Sequence, residues 1–214
     1  QIENVETFLT VEQALQNQIA TKLLESPKKE LVEIAEAKQS SFWSECNPDT
    51  QALWALITLT GQMLIEANRI SSELKDMEDN PKSILDSYIS GDAPWCILDT
   101  HHRNMERKYN DLDIQESIPD LEKLIYKARD RYMDVVGNLA EKFLKAYQDR
   151  KFKISATIKQ SEIFQKYIKP ELEKHKTAYI WVDALRYEMA QELEASLRDD
   201  FDTSLDVAVG IVPS

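Results

Sequence analysis

TAYIWVDALRYEMAQELEASLRDDFDTSLDVAVGIVPS, residues 177–214, is the stretch whose interpretation decides the fold. An apolar run, Ala178 to Val182, ends on a carboxylate at Asp183. Leu185, Met189, Leu193 and Leu197 then recur at the spacing of one helix face. A second apolar run, Leu205 to Val212, stops at Pro213 and Ser214. Short β-rich runs without polar alternation suit a parallel sheet covered on both faces, so the pattern predicts strand, helix, strand. The right-handed crossover of such a unit puts both strand ends on one edge of the sheet, where open α/β sheets bind ligands. Asp183 and Ser214 are then expected on one rim, their backbones roughly 5 Å apart for adjacent strands and about 10 Å with one strand between. A carboxylate and a hydroxyl so placed suit a site that holds a metal and attacks a phosphoester. The alternative is that Asp183 caps the following helix and Ser214 is an ordinary turn residue.

The residues add to the pattern. WVDALRYEMAQEL, Trp181 to Leu193, preceded by KPELEK and followed by a strand ending in Pro-Ser, resembles the opening of the PglZ domain. That family belongs to the alkaline phosphatase superfamily and is known from the BREX phage-exclusion systems of bacteria. The resemblance implies that Asp183 ligates a catalytic divalent metal (Zn, Mn or Mg) and that Ser214, or a Ser or Thr just after it, is the nucleophile. Arg186 and Glu188 match the rest of the motif without an assigned chemical role. Further metal ligands are expected downstream, so this chain by itself is expected to be inactive and to hold no metal. WCILDTHHRNMERKYNDL, Trp95 to Leu112, is similar to the helical region that precedes the phosphatase domain in the same family.

Working outward, four glycines in 214 residues and seven prolines placed mainly between periodic runs argue for helices. The chain begins with Gln and ends one crossover into a sheet, and two parallel strands cannot cover their own edges and faces. It is therefore expected to be an internal piece of a longer protein. A net charge of −12 disfavours non-specific binding to phosphate backbones over the whole surface. Residues 139–176 depart from that balance, with ten Lys and Arg against five Asp and Glu. Cys46 and Cys96 lack metal-site spacing and are expected to be reduced, mostly buried thiols of a cytoplasmic protein. No run approaches the roughly 20 apolar residues of a membrane span, and no signal peptide is visible.

The helices are marked by their starts. Thr10-x-x-Gln13 fits a capping box, with Val11, Ala14, Leu15, Ile19 and Leu23 on one face. Ser26-Pro27, Asn47-Pro48 and Asn80-Pro81 each pair a capping residue with Pro at the first helical position. The helix from Pro48 carries Leu53, Leu56, Ile57, Thr60, Leu64, Ala67, Ile70 and Leu74 inward, with Gly61 implying either close packing or mere tolerance. Gly91 closes a short helix from Asn80, and another follows Pro94. From Pro119 the longest helix extends to about Arg150, either bridging the bundle or bending at Gly137. Residues 151–157 lose helical periodicity, and a helix capped by Ser161 and turning at Pro170 leads to Ala178. The expected fold is mainly α: an irregular helical bundle, residues 1–175, then one βαβ unit, residues 176–214, which the resemblance makes the start of an α/β alkaline-phosphatase-like domain.

Other constellations are weaker. His101 and His102 are adjacent, so their side chains diverge on a helix, whereas His102 and Glu106 have chelating spacing shared by many solvated pairs. His175 suits a helix end. The basic stretch interleaves Lys with Phe143, Tyr147, Phe152, Phe164 and Tyr167, which fits either a solvated helix face or a DNA or phosphate contact. No Gly-rich phosphate loop, CxxC site or Gly-x-Ser-x-Gly elbow is present, which sets aside kinase, ATPase, Rossmann and hydrolase-elbow chemistry for this segment. The resemblance implies other phage-defence subunits as partners, with DNA as a further candidate. A non-catalytic helical module that docks such partners is the alternative function.

Overall fold

The computed structural model describes residues 8–112, 119–155 and 157–210. The fold is mainly α with one small parallel sheet, as expected. Seven helices come first: α1 (Leu9–Glu25), α2 (Lys29–Lys38), α3 (Phe42–Cys46), α4 (Pro48–Asp76), α5 (Pro81–Ile89), α6 (Ile97–Asp111) and α7 (Pro119–Asp149). Then follow β1 (Ile158–Lys159), a 3-10 turn (Gln160–Glu162), a π turn (Phe164–Ile168), α8 (Lys169–Lys174), α9 (Tyr187–Leu197) and β2 (Ala208–Val209).

Two of the three expected cap-then-Pro starts form. Asn47 Oδ1 accepts from the Asp49 and Thr50 amides, and Asn80 Oδ1 from the Lys82 amide, satisfying donors that a helix start leaves orphaned. Ser26 instead ends α1, and α2 starts at Lys29 without a side-chain cap. Likewise α1 begins at Leu9, so Thr10 lies inside the helix rather than capping it.

The centre of the bundle is α4, which packs against α1, α2, α3, α6 and α7. Trp54, Leu56, Ile57, Met63, Leu64, Ala67 and Ile70 are its fully buried apolar residues. Gly61 is a close-packing position: a Cβ there would meet Val32 Cγ2 at 2.7 Å and Leu23 Cδ1 at 3.2 Å. By contrast α7 runs straight through Gly137 as one 31-residue helix, about 46 Å long at 1.5 Å per residue. Leu121, Leu124, Ile125, Ala128, Val135 and Tyr147 form its buried face at helical spacing.

One polar knot was missed by the apolar pattern. Glu12 is buried on α1, where Ala14 was expected and is exposed. The Trp54 indole and the Ser41 hydroxyl donate to Glu12 Oε1 at 2.8 and 3.1 Å, and the Lys38 ammonium lies 3.4 Å from Oε2. The buried charge is thus hydrogen-bonded and paired, as burial requires. Both thiols are unpaired, Cys96 buried as expected and Cys46 exposed.

The sheet has other members than expected. Ile158–Lys159 pairs in parallel with Ala208–Val209. Ala178–Val182, the expected first strand, forms no strand and pairs with none among the described residues, with Ile180 77% and Trp181 76% exposed. A buried parallel strand needs neighbours on both edges and cover on both faces. The described residues supply neither for this segment. The apolar stripe of α9 fares similarly: Leu193 and Leu197 are exposed, and the helix packs through its polar residues instead. Among the described residues no helix is long and apolar enough to cross a membrane.

Candidate functional site

The 183–188 motif lies where the chain turns from the exposed 178–182 segment into α9. Asp183 is exposed, and its Oδ1 accepts from the Ala184 amide at 2.9 Å. Ala184 has φ 57°, a left-handed conformation that costs a non-glycine residue roughly 1–2 kcal/mol. Strain of this kind, held beside a carboxylate, often marks a functional turn. Asp183 does not cap α9, whose N-cap is Arg186, without a side-chain cap bond. Ser214 lies outside the described residues, so its approach to Asp183 is not defined.

Arg186 and Glu188 acquire a structural setting. Glu188, in the first turn of α9, points into the bundle and is 1% exposed. Its Oε1 lies 3.9 Å from Arg103 Nε on α6 and 3.8 Å from Arg186 Nη1. Both distances are too long for hydrogen bonds, and Glu188 Oε1 and Arg103 Nε are buried polar atoms without a hydrogen-bond partner. Arg103 Nη2 donates to Glu192 Oε2 at 2.6 Å, one helical turn further along α9. Next to this pair the Cys96 thiol donates to Gln191 Oε1 at 3.0 Å, and the Tyr187 hydroxyl donates to the Ile89 carbonyl at 3.0 Å. The motif helix is therefore docked on the bundle by polar groups.

Beneath it, Asp99 of α6 collects two phenols. Tyr132 donates to its Oδ1 at 2.6 Å and Tyr88 to its Oδ2 at 2.8 Å. Burial, then the Asp99 carboxylate beside them, pushes both phenols well above the ordinary tyrosine range. Burial also raises the Cys96 thiol to about 11, which makes it a poor nucleophile. These groups hold protons firmly and suit scaffolding rather than proton transfer.

The histidines are committed elsewhere. His102 stacks on Tyr132 with ring centres 3.9 Å apart and planes 2° from parallel. Its Nε2 is 3.7 Å from Glu106 Oε1, but that carboxylate accepts two bonds from Arg129, at 2.6 and 2.8 Å. Burial holds both His101 and His102 below the usual imidazole range. Among the described residues no group of three or more His, Cys, Asp or Glu is placed to hold a metal. Asp183 fits a divalent cation as one exposed carboxylate donor, but it belongs to no group of three or more such donors among the described residues.

The chain is similar to the alkaline phosphatase-like protein PglZ of Bacillus cereus (strain H3081.97). The two are 24% identical over 191 residues, a match that covers 86% of this chain and 21% of that protein. The chain thus spans about a fifth of the length of that curated relative. No protein-family model matches the chain, and no solved structure matches it. The likeness to PglZ takes in most of the helical bundle, since 86% of the chain cannot be covered by residues 176–214 alone. What sequence reasoning missed is the seam between the bundle and the motif helix: Asp99 and Arg103 are four apart on one face of α6, a spacing that marks a shared polar face but not its partner.

Proposed function

We propose that this chain is the helical platform and the motif-bearing start of a PglZ-type phage-defence protein, and that the intact protein is a metal-dependent phosphatase or phosphodiesterase. The observation that carries the proposal is the seam between α6 and α9. Trp95 to Leu112 and Trp181 to Leu193, the two stretches that resemble the family, meet there through Arg103, Glu188 and Glu192. Residues 1–175 on this reading are the platform and residues 176–214 open the phosphatase-like domain. Asp183 would hold a divalent cation (Zn, Mn or Mg), which supplies charge neutralisation at a phosphoryl group. Arg186 and Glu188 are positioning residues that fix the turn bearing Asp183. A hydroxyl at or just after Ser214 is the nucleophile. The apolar residues Ile180, Trp181 and Val182 suit the covered strand of a complete domain. The protein works in the cytoplasm with other subunits of its defence complex.

A second reading has support of its own. Asp183 is part of no three-donor metal group among the described residues, and the exposed apolar residues of 179–205 suit contact with another chain. That favours a non-catalytic module that docks partner subunits. Asp183→Ala in the intact protein separates the two. Loss of Mn²⁺- or Zn²⁺-dependent phosphodiester hydrolysis with normal complex assembly is the expected result. Unchanged hydrolysis removes the enzyme reading.

A further inference from the structure

A cleft of about 770 Å³ opens where the C-terminal end of α7 meets the start of α5 and the β1–β2 pair. Lys82, Arg150, Lys151, Lys153 and Lys159 line it, and none of its described lining residues is acidic. Lys82 is paired with Asp86 on α5. The other four cations are exposed and make no ion pair with a described carboxylate. This happens in a chain with 38 acidic and 26 basic residues, where partners for cations are plentiful. Four uncompensated cations around one cavity repel one another and raise its local potential, which an anionic ligand would relieve.

The backbone at the cleft breaks a rule. After α7 the Lys151 amide bonds the Gln148 carbonyl at 2.8 Å and the Phe152 amide bonds the Tyr147 carbonyl at 2.9 Å, a helix ending that usually uses glycine. Here Lys151 and Phe152 occupy the left-handed region at φ 52° and 58°. Two successive non-glycine residues in that conformation are costly, and such strain concentrates at ligand sites. Its effect is to hold an aromatic ring among the cations. Phe152 is 54% exposed, while its other side meets the buried Tyr147 edge-on at 5.4 Å. A fixed, half-bare ring surrounded by cations is the arrangement on which unpaired bases stack. The cavity volume lies in the range of about 300–1,000 Å³ typical of small-ligand clefts, and stacking on Phe152 requires a base released from its pairing partner.

We propose that this cleft binds single-stranded nucleic acid, its phosphates held by Arg150, Lys151, Lys153 and Lys159 and one base stacked on Phe152. The proposal does not depend on Asp183 or on hydrolysis. It is tested on the whole chain by fluorescence anisotropy with a labelled thymidine oligonucleotide of about ten nucleotides, a length inside the usual site-size range. Binding at low salt is expected to weaken linearly in log–log form, with a slope of about −2 to −3 for four phosphate contacts. Lys151→Glu with Lys153→Glu should abolish it, whereas Lys28→Glu with Lys29→Glu, an equal charge change elsewhere, should not. Phe152→Ala should weaken binding by roughly 5- to 150-fold with the salt slope unchanged, and Phe152→Tyr should bind like the original. Absence of binding at low salt, equal loss from both charge reversals, or equal affinity for duplex overturns the proposal. Equal competition by inorganic polyphosphate or by thymidine monophosphate overturns it too, because the first needs no base and the second no strand.

Discussion

Removing Arg103 should hurt the protein more than removing the charge it faces. Glu188 is 1% exposed, and the cations paired with it among the described residues are Arg103 at 3.9 Å and Arg186 at 3.8 Å. The Arg186 side chain is 59% exposed, so water weakens its pull. Arg103→Met keeps most of the aliphatic stem but leaves a buried carboxylate with that one screened partner. Breaking a buried pair from one side costs about 3–5 kcal/mol, and the surviving Arg186 moves the expectation here to roughly 2–3 kcal/mol. Glu188→Gln instead removes a charge whose desolvation the two long contacts barely offset, so it should cost less than about 1 kcal/mol. Adding Glu188→Gln to Arg103→Met should therefore recover about 1–2 kcal/mol, a coupling well above the error of additivity. Because the seam joins one helix to the bundle, much of the loss should show as local undocking of α9. Amide hydrogen exchange along residues 187–197 reads that step, and urea denaturation reads the global one. If Glu188→Gln is as damaging as Arg103→Met, or if the two losses simply add, the carboxylate does not depend on Arg103 and this account of the seam is wrong.

Three further outcomes are expected. Gly137→Ala should stabilise by about 0.5–1 kcal/mol because nothing lies within 4 Å of the new methyl, whereas Gly61→Ala should destabilise by up to about 2 kcal/mol as overpacking against Val32 outweighs helix propensity; thermal melting of the pair decides it. Glu12→Ala removes the buried acceptor of the Trp54 indole and the carboxylate facing Lys38 and should cost about 3–5 kcal/mol, checked by urea denaturation; a loss under about 1 kcal/mol would mean that water replaces the carboxylate. His101 and His102 are held below the usual imidazole value, so the unfolded chain binds more protons as pH falls through about 6.5 and stability drops; a further loss starts below about pH 4.5, where Glu106, lowered chiefly by Arg129, takes up its proton. Denaturation midpoints at pH 7.5 and 5.5 should differ in that direction, and His101→Gln with His102→Gln should flatten the difference.

The bundle was legible because its helices announce themselves locally. Asn47-Pro48 and Asn80-Pro81 carry their own cap chemistry, and the stripe from Leu121 to Tyr147 keeps helical period over α7. Local signals failed where the deciding partner was distant in sequence. Thr10-x-x-Gln13 has the letters of a capping box, but the helix starts one residue earlier. Glu12 looks like surface until Trp54 and Lys38 are folded onto it. The 178–182 run has strand composition, yet pairing is decided by neighbours, and the described sheet is built from Ile158–Lys159 and Ala208–Val209. At the candidate site the sequence placed Asp183 on a sheet rim beside Ser214; among the described residues it is exposed in a turn that follows no strand, and Ser214 lies outside them. The burial of Glu188 could not be foreseen, because nothing in its own neighbourhood names Arg103, which lies 85 positions away in the chain.

The uncovered 178–182 segment has a consequence for handling the protein. An exposed apolar segment with no strand partner among the described residues is a template onto which another copy can add as a strand. Tyr179, Ile180, Trp181 and Val182 combine high β-propensity with no charge and no proline, the composition of self-associating segments. Solutions of this chain should therefore show concentration-dependent oligomers, and a gatekeeping charge such as Ile180→Lys should suppress them without touching the bundle.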